Sequence, residues 1–290
     1  MIVNGKEYER SIQQIKNRNS VATEISRIVV HAGRFHADDV FCAAMLLMIY
    51  PNAEVLRTVS VSKELSRDDK TIVADIGYGK YDHHQPDAEI RSDGNRYSAC
   101  GLVFRDFKHI LFDGNLAAAE RFERKYILPV EIDDNGGAGN PLSSTISAFN
   151  PSWDSGEDSD AKFAEAVSFV QSLIERELQK MDAEARAEVI VKKALAESDG
   201  RIVLLHQDLP WRDYLIKTTA IYAVYPSIRG GYNIQTVPEK EGSKKPKKPL
   251  PKEWINNRPD GCNFVHPDLF IASFDTEAAA MATAKQAASL

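Results

Sequence analysis

Cysteine is scarce in this chain of 290 residues: Cys42, Cys100 and Cys262 lie far apart, and no two are spaced as a CxxC pair. An odd number at such distances excludes a disulfide framework and points to packed thiols in a reducing compartment. A zinc deaminase, which needs a Cys-x-x-Cys partner for its metal, is excluded on the same ground. Long apolar runs are missing too. The longest, Val40 to Tyr50, is too short to span a bilayer and stops at Pro51. The first twenty residues mix Lys6, Glu7, Glu9, Arg10, Lys16 and Arg18 without a secretory apolar core. The expectation is a cytoplasmic protein with no membrane contact. Positive charge is in deficit, at a net -6, so the surface as a whole does not suit a duplex nucleic-acid binder and any polyanion must meet a local patch. Glycine and proline are absent from Lys162 to Glu197, where Phe163, Val167, Val170, Ile174, Leu178, Met181, Ala185 and Val189 recur every three or four residues. That predicts one long helix or two abutting ones, serving either as a dimer or interdomain strut or as a helix packed on its own domain.

Hydrophobic residues make up 43% and charged residues 27%, which excludes general disorder, and the length allows two domains. Strand signals at Ile25 to Val30, Val55 to Val59 and Thr71 to Ile76 alternate with helix signals at Val40 to Tyr50 and Ser98 to Phe112, the latter with Ser98 placed to cap it. A further helix from Leu116 to Ile127 is expected to end at Pro129. Such alternation predicts an α/β fold with a mostly parallel, doubly wound sheet, because each parallel connection needs a crossover. Short strands after residue 200 and an Ala-rich C-terminal helix predict a second, smaller α+β domain. The domain reading is 1–155 catalytic, 156–199 a connecting helical segment and 200–290 a substrate-binding domain, with residues 1–22 an N-terminal extension. Lys244, Lys245, Lys247, Lys248 and Lys252, interleaved with prolines, read as a solvated basic loop or as a phosphate contact.

The chemistry collects just past strands, where open α/β sheets gather ligands. Arg27 to Val30 runs into His31-Ala32-Gly33-Arg34-Phe35-His36-Ala37-Asp38-Asp39, two imidazoles and two carboxylates within nine residues on a strand-to-helix turn. Asp75 closes the third strand. Gly77 and Gly79 then turn the chain so that Tyr81-Asp82-His83-His84-Gln85 doubles back over the same edge. Asp134, at a glycine turn, brings a third acidic cluster. Neutral nitrogen with anionic oxygen suits Mn²⁺ or Fe²⁺ better than a structural zinc site.

In order along the chain stand His31-x4-His36-x-Asp38-Asp39, Asp75-x-Gly77, Tyr81-Asp82-His83-His84-Gln85, Ser98-Ala99-x-Gly101 and Asp134-Asn135-Gly136. Leu209-Pro210-Trp211, Leu250-Pro251-x-x-Trp254 and Gly261-Cys262-x-Phe264-Val265-His266 follow them. Together these resemble the DHH phosphoesterase superfamily and, more closely, its melanocyte-proliferating-gene branch of metal-dependent nucleases. The resemblance implies a two-metal site of His31, His36, Asp38, Asp75, His83 and Asp134, with Asp75 bridging, holding Mn²⁺ or else Mg²⁺ or Fe²⁺. It places His84 at the substrate phosphate, Asp82 behind a neighbouring histidine, and Arg34 and Arg57 at the substrate. The chain departs from the branch at Asp39, where Glu is usual, at Val59-Ser60, where a second arginine and an aspartate are common, and at Ala272-Ser273, where a Gly-Gly element is expected.

Two divalent ions held by such ligands would activate a bridging water near neutral pH for attack on phosphorus. The expectation is a phosphodiester hydrolase, an exonuclease on RNA or short oligonucleotides, with a homodimer left open. Two alternatives stand beside it: a hydrolase of a small phosphate such as pyrophosphate, a cyclic dinucleotide or a nucleoside bisphosphate, and a metal-binding scaffold without turnover.

Overall fold

A computed structural model describes residues 24–290; the expected N-terminal extension, residues 1–22, lies outside the described residues. Three short strands, β1 (Arg27–His31), β2 (Glu54–Thr58) and β3 (Thr71–Val73), form an all-parallel sheet in the order β2-β1-β3. Val29 pairs with Leu56 on one side and Val73 on the other. Ile28, Val29 and Val30 are fully buried, as expected of a central parallel strand covered on both faces. Between β1 and β2 runs α1 (Ala37–Ile49), nearly all of it buried; α2 (Lys63–Arg67), capped by Ser62, crosses to β3.

Past β3 the chain makes its turn and returns alongside itself. Ala74 and Tyr81 form a parallel bridge, and the Asp75 N–H donates to the Tyr81 carbonyl at 2.8 Å. Asp75 and Asp82 are thereby brought side by side at the carboxyl edge of the sheet. Helix α3 (Ala99–Leu111) follows, and Ser98 stands at its cap position without capping it: the hydroxyl donates to Asp38 at 2.5 Å.

Pro129 does not stop the next helix. After α4 (Leu116–Phe122) a π-helical turn, Glu123–Ile127, widens the helix, and α5 (Leu128–Asp134) continues from it with Pro129 in its first turn, where the missing N–H is tolerated. Asp134 is therefore the last residue of a helix, and the glycine turn expected there follows at once, with Gly136 at φ +80. A short α6 (Pro141–Ser147) precedes α7 (Ser159–Ala196), a single helix of 38 residues.

Two compact units divide the chain within α7, the first ending at Gln179 and the second spanning Lys180–Leu290. In the second, β4 (Ile202–Leu204), β5 (Tyr222–Pro226), β6 (Tyr232–Thr236), β7 (Cys262–Val265) and β8 (Ile271–Phe274) form a mixed sheet, order β4-β5-β6-β8-β7, parallel only at β4 and β5. Alternate residues of β5 face two cores. Tyr222 and Val224 pack with Phe274 and the alanines of the C-terminal helix (Glu277–Ser289), while Ala223 and Tyr225 pack with Trp211 and Val237. Lysines of the proline-rich loop are used within this unit: Lys247 Nζ donates to the carbonyls of Leu215 and Thr218, and Lys248 Nζ to that of Ala288. Ala272 and Ser273 lie in β8 paired with β6, and the Ser273 hydroxyl donates to Asn233. Among the described residues no helix is long and apolar enough to cross a membrane.

Candidate metal centre

Three chain segments end at the carboxyl edge of the parallel sheet: His31 at the end of β1, Asp75 just past β3, and the start of α1 at Asp38 and Asp39. His31 Nε2 lies 3.4 Å from Asp39 Oδ2 and 3.4 Å from Asp75 Oδ2. Asp75 turns its other oxygen the opposite way, Oδ1 standing 3.4 Å from His83 Nε2. That same His83 nitrogen is 3.2 Å from Asp134 Oδ2 and 3.7 Å from Asp38 Oδ2. The donors thus form two groups able to hold a cation, His31 with Asp39 and Asp75, and Asp38 with His83 and Asp134, while Asp75 also joins His83 and His84. His36 stands beside the first group, its ring centroid 5.4 Å from that of His31. Burial and the His31 ring hold its pKa below the usual histidine value, which favours the neutral, ligating form.

These residues fit a metal because the protein alone leaves them unsatisfied. Asp39 Oδ2 and Asp75 Oδ1 are buried without a hydrogen-bond donor, and such groups are expensive unless something else meets them. Protonation is the resort when no cation is present. Burial and the Asp75 carboxylate push Asp39 well up; burial and Asp38 push Asp134 to about 8. For His83 burial works downward, but the surrounding carboxylates of Asp75, Asp38 and Asp134 prevail and raise it to about 9. Asp75 itself is raised, by burial and then by Asp38. Hard anionic oxygens with imidazole nitrogens suit a divalent ion such as Mn²⁺ or Fe²⁺.

Behind the donors the scaffold is tightly determined. Asp38 is held by the start of α3, accepting from Ser98 Oγ, from the Ala99 N–H at 2.9 Å and from the Cys100 N–H at 2.7 Å, where a helix presents unpaired donors. Asp39 Oδ1 accepts the His36 N–H at 2.8 Å, so its other oxygen is fixed toward His31. Glu131, one turn before Asp134 on α5 and fully buried, accepts the Ser98 N–H at 3.1 Å and lies 3.3 Å from Arg91. Its Oε1 occupies the space a side chain at Gly101 would need, since a Cβ there would fall 1.6 Å from it. One carboxylate thus joins the helix that carries Asp134 to the helix that grips Asp38.

Asp82 Oδ1 accepts the N–H of His84 at 3.1 Å and stands 2.7 Å from His84 Nδ1, while Oδ2 accepts the Tyr78 N–H. Against the upward push of burial, these donors hold Asp82 below the ordinary carboxylate value. His84 is the open member of the pair, its side chain 56% exposed against 8% for His83. The cleft in which they stand has a volume of about 1100 Å³ and is also lined by Arg96 and Asn135.

The two arginines expected at the substrate are placed differently. Arg34 is on the surface, donating to Ser147 Oγ at 3.2 Å. Arg57 does not line the cleft: its side chain is 3% exposed, lies over the Phe163 ring at 4.7 Å and donates to Asp160, Ser159 and the Gly33 carbonyl. It ties the loop after β1 to the start of α7. The ligand set that the resemblance implies lacks Asp39, and sequence reasoning passed over Glu131 and Arg96. The acidic pair at the start of α1 and the Ser98-Ala99-x-Gly101 motif were the available signals for the first two.

A family model described as MYG1_exonuc, Uncharacterised protein family (UPF0160), matches residues 27–288. Relatives named MYG1 exonuclease include one from Rattus norvegicus, 30% identical over 89% of this chain and 84% of its own, and one from Homo sapiens, 28% identical over 95% and 89%. A crystal structure of RecJ in complex with Mn²⁺ from Thermus thermophilus aligns at 12% identity over 97% of this chain and 54% of that one. Its TM-score of 0.29 is too low to bear on the site.

Proposed function

Because the chain belongs to the MYG1 family (UPF0160), we propose that it is a metal-dependent phosphodiesterase, an exonuclease acting on RNA or short oligonucleotides with two divalent ions, Mn²⁺ foremost. The observation that carries this reading is Asp75: its two oxygens face two separate donor groups, and one of them is buried with no hydrogen bond. The relatives' name, exonuclease, supports nucleic acid as the substrate class.

His31, Asp39 and Asp75 would hold one ion, with His36 alongside, and Asp38, His83 and Asp134 the other. Such a pair supplies Lewis acidity toward the phosphoryl group and lowers the pKa of bound water. The chain's own residues do the rest. Asp38 and Asp39 are held in place by backbone and hydroxyl donors, so little reorganisation is needed when charge develops. Asp82, kept ionised by its donors, places the proton of His84 on Nδ1 and leaves Nε2 as the atom that exchanges a proton or a hydrogen bond with the phosphoryl group. Arg96 adds a cation at the rim of the cleft.

The experiment is turnover of end-labelled oligonucleotides and of pyrophosphate, a cyclic dinucleotide and a nucleoside bisphosphate, each with Mn²⁺ and with chelator. Stepwise, Mn²⁺-dependent shortening of the oligonucleotides is expected. Turnover confined to the small phosphates would replace this reading, and none anywhere would leave a metal-binding scaffold.

A further inference from the structure

The cleft has a wall that the metal chemistry does not use. Val59 is 86% exposed and Tyr78 is 74% exposed, and both line the cleft that holds His83 and Asp134, together with Val61 and Ile76. The two loops that carry them form one surface. A Cβ on Gly77 would lie 2.9 Å from Val61 Cγ2, so the loop after β2 and the turn after β3 are in contact there. Tyr78 is held at φ +55, the left-handed region that side chains other than glycine enter rarely, and its N–H donates to Asp82 Oδ2 at 2.6 Å. Because Asp82 also holds His84, one buried carboxylate sets both the tyrosine and the histidine nearest the open cleft.

An exposed tyrosine and valine contribute little to a core, and neither carries a charge to meet a second phosphate. A planar, uncharged group attached to a phosphate fits them: its phosphate at the metal centre, its flat face against the wall. We propose that Val59, Val61, Ile76 and Tyr78 form a nucleobase subsite, taking the base of the nucleotide whose phosphate lies at the metal centre, with Tyr78 as the stacking partner. The proposal rests on the phosphodiesterase reading and adds to it what holds the nucleoside. Stacking is tolerant of base identity, since every base has a π-face.

The test measures binding of adenosine 5′-monophosphate and of ribose 5-phosphate to the full-length protein loaded with Mn²⁺, by calorimetry. The wild type should bind the nucleotide about tenfold or more tighter than the sugar phosphate, the size of one base–aromatic stack. Tyr78→Gly, which suits the left-handed backbone, should abolish that difference while binding ribose 5-phosphate as the wild type does. Tyr78→Phe should retain it, and Val59→Asn should reduce it by the loss of one side of the wall. Equal affinities of the wild type for the two ligands would overturn the subsite, as would an equal loss of both ligands in Tyr78→Gly or no binding of either. The readout is separate from turnover. A base preference that depends on Tyr78 in a protein that cuts no oligonucleotide would keep the subsite and refute the nuclease, and metal-dependent cutting with no base preference in binding would do the reverse.

Discussion

Asp39→Asn should move the metal-free and the metal-loaded protein in opposite directions. The amide keeps an oxygen for the His36 N–H at the start of α1 and removes only the charge of the oxygen that faces His31 and Asp75. In the metal-free protein that oxygen is buried without a donor, and burial and the Asp75 carboxylate raise the group well above its ordinary value of 3.8. A carboxyl whose folded pKa is raised costs stability once pH passes its unfolded value, and the cost grows until the folded value is reached. Removing the charge should therefore stabilise the metal-free protein, by up to about 1–3 kcal/mol, the usual penalty of an unmet buried group. With metal the sign reverses. At a concentration of about 100 times its Kd a bound ion stabilises the native state by about 2.7 kcal/mol. A loss of about 10- to 100-fold in affinity, taking the effect of groups behind the ligands as a floor, cuts that to about 1.4 or 0.4 kcal/mol. At about 2–4 °C per kcal/mol, the Mn²⁺-induced rise in Tm should fall from about 5–11 °C to about 1–6 °C, while the Tm in chelator rises. Scanning calorimetry of both proteins, with Mn²⁺ and with chelator, reads all four values. A variant that is less stable in chelator yet keeps its full Mn²⁺ shift would refute the assignment of Asp39 to the metal.

Asp75→Asn should leave the circular dichroism spectrum intact and remove hydrolysis, since an amide cannot share charge between two groups; activity above about a tenth of wild type, under roughly 1.4 kcal/mol in barrier, would sink the bridging role. His83→Ala should weaken Mn²⁺ binding about tenfold or more, while His84→Ala should keep the metal and lose rate in single-turnover kinetics. Equal metal loss in both variants would show the roles to be divided wrongly. Metal affinity should rise with pH, because His83, held at about 9, and Asp134, held at about 8, must shed protons to bind. Below those values each competing proton costs up to about tenfold per pH unit, so a Mn²⁺ affinity that is flat from about pH 6.5 to 8.5 would contradict this. Gly101→Ala should destabilise by about 3 kcal/mol in urea denaturation, because its Cβ meets the Glu131 carboxylate, and Glu131→Ala added to it should recover part of the loss.

Local pattern carried much of the fold and most of the donor set. Uninterrupted β-branched residues at Ile28 to Val30 and Thr71 to Val73 specify buried parallel strands, and polar residues that interrupt such runs stand out one by one: His31, Asp75, the Asp82-His83-His84 run. The long helix was legible from the lack of glycine and proline across its length. Distance in three dimensions was not. How each aspartate is held depends on what packs behind it, and only the packing of α3 on α1 shows Asp38 gripped by three donors while Asp39 presents a bare oxygen. Pro129 read as a helix end because a chain in isolation cannot announce the π turn that admits it. The resemblance places Arg57 at the substrate, whereas the carboxylate, carbonyls and ring that it meets come from residues 33 and 159 to 163. Residue types and spacing select the chemistry a chain can attempt. Which oxygen is left unpaired, and which cation is already spent, is decided by side chains that meet only when distant segments pack, since hydrogen bonds and ion pairs act over a few ångströms and sequence neighbours supply only some of the partners.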